Sequence, residues 1–271
     1  MNLPIRQIDA FSEGPFTGNP AAVVLLEAPI APELMQRIAE ENNLSETAFV
    51  VPMPDGGGYA LRWFTPTVEV ELCGHATLAA VEALRLAGRE ASGVVTFSTL
   101  SGPLRAELEE QGRVTIDLPA ATGARPVGAE RLAALERAVD GRVVTAHEHR
   151  YVLAELEDEA AVRALAPTAR ALEEIGLPLI ATARGAEPEV DFVSRFFAPT
   201  LGVFEDPVTG SAHCQLVPYW AGALERSELA ARQLSRRGGR LECALMGDRV
   251  RLTGGAHAYL EGTIQAGPPS S

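Results

Sequence analysis

Short apolar stretches, broken at close intervals by Gly, Pro and Asp, set the rhythm of this chain. Residues 5–11 and 21–26 read as strands, and the Gly- and Pro-rich residues 12–20 between them read as a loop. Residues 31–41 place Leu34, Ile38 and Ala39 on one face and predict an amphipathic helix. Residues 47–51 and 59–65 return to strand patterning around a turn at 54–58. Residues 75–86 are apolar on nearly every side apart from Glu82 and Arg85, which predicts a buried helix. Three strand-like runs follow at 93–99, 103–109 and 113–118. The Ala-, Thr-, Gly- and Pro-rich residues 119–128 form the best linker candidate. Beyond it the pattern predicts helices at 129–139, 158–165 and 211–224. Strands are expected near 142–146, 150–155, 178–183 and 190–197, and short strands across 232–264.

One pattern occurs twice. Arg62-Trp63-Phe64-Thr65-Pro66-Thr67 returns as Arg195-Phe196-Phe197-Ala198-Pro199-Thr200, and each copy leads to a Gly, Gly74 or Gly210, that opens an apolar helix. The period is too long for a solenoid and reads as two like-built halves. Each half is expected to be a mostly antiparallel sheet curled around one apolar helix, an α+β fold with pseudo-symmetric halves. The expected division is 1–118 and 119–257, with room for a C-terminal strand near 258–271 to complete the first half. A small-molecule site is expected in the cleft between the halves.

Composition narrows the chemistry. The formal charge of −13 argues against nucleic acid or an anionic membrane as partner. It also means that an anionic substrate would need locally placed donors. All 23 basic residues are Arg, so no side chain can form a Schiff base and no lysine-bearing phosphate loop exists. Gly-x-Gly-x-x-Gly is absent, which leaves a dinucleotide fold without support. Cys73, Cys214 and Cys243 are few and odd in number, which fits a reducing compartment. With no signal-like start and no long apolar run, a soluble cytoplasmic protein is expected.

The two helix starts are the first candidates for function. Free N–H groups at Gly74-His75 and Gly210-Ser211 would hold a carboxylate or a developing enolate, with plain helix capping as the structural alternative. Glu46, at the mouth of an apolar strand, suits a general acid or base. Asp206 before Pro207 reads equally as a functional acid or a turn residue. Asn19 reads as a turn residue or a substrate hydrogen-bonder. Glu46 lies 16 residues before Arg62, and the position 16 before Arg195 is Leu179, so only the first half has an acid there. His147, His149, His213 and His257 lack metal-ligand spacing. No metal and no cofactor are expected.

Together, Asn43-Leu44-Ser45-Glu46-Thr47, Phe64-Thr65-Pro66, Cys73-Gly74-His75-Ala76-Thr77 and Glu205-Asp206-Pro207-Val208-Thr209-Gly210-Ser211-Ala212 resemble the motifs of the PhzF family of phenazine-biosynthesis-like proteins. Asp9-Ala10-Phe11 and Phe16-Thr17-Gly18-Asn19-Pro20 match as well, so the resemblance covers nearly the whole chain in order. It implies a diaminopimelate epimerase-like fold, a homodimer, and cofactor-independent isomerisation by proton transfer on a small anionic substrate. It places the catalytic acid/base on Glu46, assisted by His75 and Asp206. Substrate binding falls on Gly74, Gly210 and Ser211, to which Asn19 is added as a candidate. Related epimerases and racemases use one Cys per half. Cys73 occupies the first such place and Thr209 the second, so a two-thiol mechanism lacks a partner and Cys73 reads as a vestige. An epimerase or racemase using Cys73, and a binding protein without catalysis, remain the alternatives.

Overall fold

In the computed structural model, residues 1–54, 56–109 and 112–267 are described. The turn expected at 54–58 and the strand expected near 258–271 therefore lie partly outside the described residues. The chain divides into two compact units, Met1–Asp117 with Thr253–Ser271, and Leu118–Leu252. Among the described residues, no helix is long and apolar enough to cross a membrane.

The first unit is a mixed, mostly antiparallel sheet. Strand Ala256–Gln265 pairs antiparallel with Asn2–Ala10, which pairs antiparallel with Asn19–Leu25. Asn19–Leu25 runs parallel to Glu46–Pro52, and that strand antiparallel to Tyr59–Phe64. Tyr59–Phe64 takes Glu69–Val70 antiparallel and Gly93–Thr99 parallel, and Gly102–Leu108 then pairs antiparallel with Gly93–Thr99. The sheet packs around helix Gly74–Leu86, buried at every position from Gly74 to Leu84. Its all-round apolar sequence requires that burial. The buried exception, Glu82, is held by Arg85 through two 2.7 Å hydrogen bonds one turn on. Helix Pro32–Asn42 covers a separate face, burying Met35, Ile38 and Ala39. Gly58 (φ +114°) enters Tyr59–Phe64 where a Cβ would lie 2.2 Å from the Thr96 carbonyl oxygen, so any side chain there would force the parallel strands apart.

The second unit repeats this pairing plan. Val152–Glu155 runs parallel to Leu179–Arg184, which is antiparallel to Phe192–Ala198. Phe192–Ala198 takes Val203–Asp206 antiparallel and Glu228–Gln233 parallel, and Gly239–Met246 follows antiparallel. Helix Gly210–Leu224 is its buried counterpart to Gly74–Leu86.

The repeated Arg has the same task in both units. Arg62 makes two 2.7 Å bonds to Glu69 with its guanidinium 5.2 Å from the Phe64 ring centre. Arg195 bonds Glu205 at 2.7 and 3.0 Å, lies 4.8 Å from the Phe197 ring centre, and also donates to the Leu165 carbonyl at 2.6 Å. Each pair ties the antiparallel strand to the one that leads toward the helix.

Three differences from the sequence expectations have physical causes. Helix Ala169–Ile175 was not anticipated, although Thr168 caps it by accepting from Ala171 N and Gly176 (φ 80°) ends it. Its seven residues, about two turns, are too few to show a period. The longer gap before Gly210 is taken up by a 3-10 turn at Pro199–Leu201 and a four-residue strand, where the first unit has a two-residue one. Finally, Leu179 stands opposite Phe197 as Thr47 stands opposite Phe64. The counterpart of Glu46 is therefore Pro178, not Leu179; neither is an acid.

Candidate active site

In the first unit, parallel pairing brings the starts of two strands to one end of the sheet, with Ala21 opposite Glu46. Asn19 opens one strand and Glu46 the other. The central helix begins beside them. Cys73 is its extended N-cap (φ −142°, ψ 112°), and Gly74 and His75 follow. Thr77 ties the first turn back to the Cys73 carbonyl through its N–H (3.2 Å) and its hydroxyl (2.6 Å). By helix geometry the first N–H groups have no carbonyl of the same helix to bond.

Asn19, Glu46, Cys73 and His75 converge there, with Ser45 behind Asn19. His75 Nε2 lies 3.0 Å from Glu46 Oε2, within ion-pair distance though poorly aligned for a hydrogen bond. His75 Nδ1 lies 3.5 Å from Cys73 Sγ and 3.3 Å from Asn19 Nδ2. Ser45 Oγ donates to Asn19 Oδ1 at 3.5 Å. Asn19, Cys73 and His75 are buried, whereas the Glu46 side chain is 17% exposed and is the member that reaches solvent.

Burial by itself would strip the proton from His75, but the neighbouring acids outweigh it and raise its pKa well above the ordinary value. Burial first, then the Glu46 charge, pushes the Cys73 thiol up, so this thiol stays protonated near neutrality. Cys73, which the sequence marked as a vestige, is thus in contact with the candidate residues.

In the second unit, Asp206 ends strand Val203–Asp206 just before the helix mouth. Thr209, the extended N-cap, donates its hydroxyl to Asp206 Oδ2 at 2.6 Å. Buried Gln233 fixes both residues. It donates to the Asp206 carbonyl (2.7 Å) and to Thr209 Oγ1 (3.1 Å), and accepts from Thr209 N (2.9 Å). Ser211, after Gly210, hydrogen-bonds the Tyr151 hydroxyl at 3.0 Å. Gln233 and Tyr151 were missed because their pairings join elements far apart in sequence and leave no local pattern. Replacing Gln233 with Leu would strand buried backbone groups, and urea unfolding should show a loss of about 2–4 kcal/mol. A loss below that range would show that other groups or water take over these bonds.

The remaining candidates are structural. Buried Cys214 donates to the Gly210 carbonyl, and burial pushes its thiol up to about 12. Burial likewise raises Cys243. His213, fully buried beside Phe192, hydrogen-bonds the Thr209 carbonyl at 2.8 Å. Burial lowers its pKa from 6.5 to about 4. Below about pH 6.5 the unfolded chain binds this proton and the folded chain does not, so stability falls as pH drops through 6.5 toward 4. The stability difference between the native protein and His213→Gln should therefore be about 2 kcal/mol larger at pH 7 than near pH 4.5. Urea titrations at both pH values check this, and a constant difference would contradict it.

Comparison with known proteins completes this picture. The family profile of phenazine biosynthesis-like proteins matches residues 8–262. An uncharacterized isomerase of Pseudomonas aeruginosa is 48% identical over 98% of this chain and 99% of its own length. The crystal structure of a PhzF-family phenazine biosynthesis protein from Enterococcus faecalis superposes with a TM-score of 0.92 at 41% identity, covering 98% of this chain and 100% of the other. A predicted epimerase of P. aeruginosa, at 20% identity and a TM-score of 0.79 over 97% and 99% of the two chains, shares the fold. With an α+β fold of the diaminopimelate epimerase type and relatives named isomerases, this chain is an isomerase of the phenazine biosynthesis-like (PhzF) family.

Proposed function

We propose that this enzyme moves a proton between carbons of a small carboxylate-bearing substrate, with the Glu46 carboxylate as the acid/base. The observation that carries this is the 3.0 Å approach of buried His75 to the partly exposed Glu46 at the helix mouth. Glu46 would take a proton from a carbon acidified by conjugation to a carboxylate or carbonyl. It would return that proton to another carbon, with His75 and Asp206 assisting. The helix-start amides at Gly74 and Gly210, Ser211 and Asn19 would hold the anionic group, the resulting enolate being favoured by fixed donors. General acid–base action contributes about 10²–10⁴-fold, so positioning must supply the rest. The family resemblance supports action as a cytoplasmic homodimer that uses no cofactor.

A second assignment, an epimerase in which Cys73 carries the proton, draws support from the 3.5 Å Cys73–His75 contact. Against it, burial raises that thiol, and the Thr209 hydroxyl that would face it in a two-base scheme is committed to Asp206. Incubation in deuterated water with a panel of unsaturated cyclic and amino-acid carboxylates, read by mass spectrometry and NMR, tests both. Label on a migrating-hydrogen carbon supports the isomerase. Label only on a chiral α-carbon supports the epimerase, and neither label nor conversion in any compound would overturn both.

A further inference from the structure

The first-unit cluster combines three groups that a proton-transfer site does not need together: a thiol, an imidazole and a carboxylate. One donor atom from each of Glu46, Cys73 and His75 lies within 4.8 Å of the others, and Cys73 and His75 are buried. We propose that these three side chains form a binding site for a borderline divalent cation of the zinc class. The proposal stands independently of the isomerase assignment.

The donor set and spacing carry it. Zinc takes thiolate sulfur at about 2.3 Å and imidazole nitrogen or carboxylate oxygen at about 2.0–2.1 Å in a tetrahedron. Those lengths put sulfur and nitrogen about 3.5 Å apart on its edge. The Cys73–His75 separation is 3.5 Å, and the His75–Glu46 separation is 3.0 Å. Sulfur and carboxylate flank different ring nitrogens and one ion takes only one of them, so binding requires the imidazole to turn and the Cys73 thiol and His75 to release their protons to solvent. Three protein donors would leave a fourth position for water, as in open zinc sites, and Glu46 is the partly exposed donor of the three. The buried His75 Nε2 and Glu46 Oε2 lack a well-formed hydrogen bond, so a cation would satisfy atoms that the fold leaves poorly paired. The helix N-terminus opposes a cation, but its field is worth far less than metal–thiolate bonding. Sulfur in the set selects against magnesium and calcium, which prefer oxygen ligands. An ion held here would occupy Glu46, so occupancy and proton transfer by Glu46 would exclude one another.

The sequence concealed this site because Glu46 comes from a distant strand while Cys73 and His75 lie two residues apart at a helix start. Titration of the chelator-treated full-length protein with zinc chloride by calorimetry, and with cadmium chloride by ultraviolet absorption, tests it. The expected result is one equivalent of zinc bound, and a cadmium–thiolate charge-transfer band that vanishes in Cys73→Ser. Zinc affinity should fall at least ~10-fold in Cys73→Ser and in Glu46→Gln, magnitudes at or above those of outer-shell changes. A Cys214→Ser, Cys243→Ser double variant, which keeps Cys73 as its only thiol, should retain both signals and guards against misfolding of Cys73→Ser. Absence of zinc binding in the native protein, unchanged affinity in Cys73→Ser, or loss of both signals in the double variant would overturn the site. None of these outcomes requires a substrate, so failure here leaves the isomerase assignment to its own test.

Discussion

Glu46→Gln should cut isomerase turnover by about 10²–10⁴-fold, the ordinary contribution of a positioned acid/base, while substrate affinity changes little. The amide keeps the size of the carboxylate but can neither take nor return the proton. Glu46 sits at the first position of its strand and its side chain is partly exposed, so the substitution should not disturb the buried strand behind it. The loss should therefore appear in kcat and not in KM. Steady-state kinetics on any substrate found by deuterium labelling would check it. Retained turnover in Glu46→Gln would remove the carboxylate from the chemistry and return attention to Cys73.

The second large effect concerns the frame. Arg195→Ala should destabilise the second unit by about 3–5 kcal/mol, because it leaves the Glu205 carboxylate largely buried without its partner. It also removes the bond to the Leu165 carbonyl and the guanidinium packed over Phe197. The matching Arg62→Ala should cost less, since the Arg62–Glu69 pair is more exposed and water can replace more of what is lost. Equal losses in the two variants under urea would refute this ordering. The comparison also tests why the Arg-aromatic-Phe pattern recurs: in each unit the guanidinium fixes the strand that leads toward a helix mouth.

Much of the fold was legible because its signals are local. The alternating and apolar runs gave most strands within a few residues, and the Ala-rich stretches before Leu86 and Leu224 could only be buried. The repeat disclosed two like units before any pairing was known. Strand register was not legible, since equal spacing from Arg62 and Arg195 makes Leu179 the counterpart of Glu46 and hydrogen bonding moves that by one residue. Short elements such as Ala169–Ile175 carry too little pattern to be seen. At the site, Glu46, His75 and Asn19 were nameable individually, and the structure brings them together. The hold of Gln233 on Asp206 and Thr209 depends on contacts between elements far apart in sequence, whereas the Cys73–His75 and Thr209–Asp206 contacts are local but set by side-chain direction at the helix start, which spacing alone does not give. Thr209, noticed only as a missing thiol, turns out to be a hydroxyl donor to an acid.

Both assignments for the first helix mouth place a proton carrier within reach of His75, and they differ in which atom moves the proton. Solvent-deuterium exchange at the reacting carbon, measured side by side in Glu46→Gln and Cys73→Ser with a labelled substrate in hand, separates them. If Glu46 carries the proton, exchange falls by about 10²-fold or more in Glu46→Gln and stays within about tenfold of the native rate in Cys73→Ser. Exchange that survives in Glu46→Gln and collapses in Cys73→Ser would contradict a carboxylate-centred isomerase.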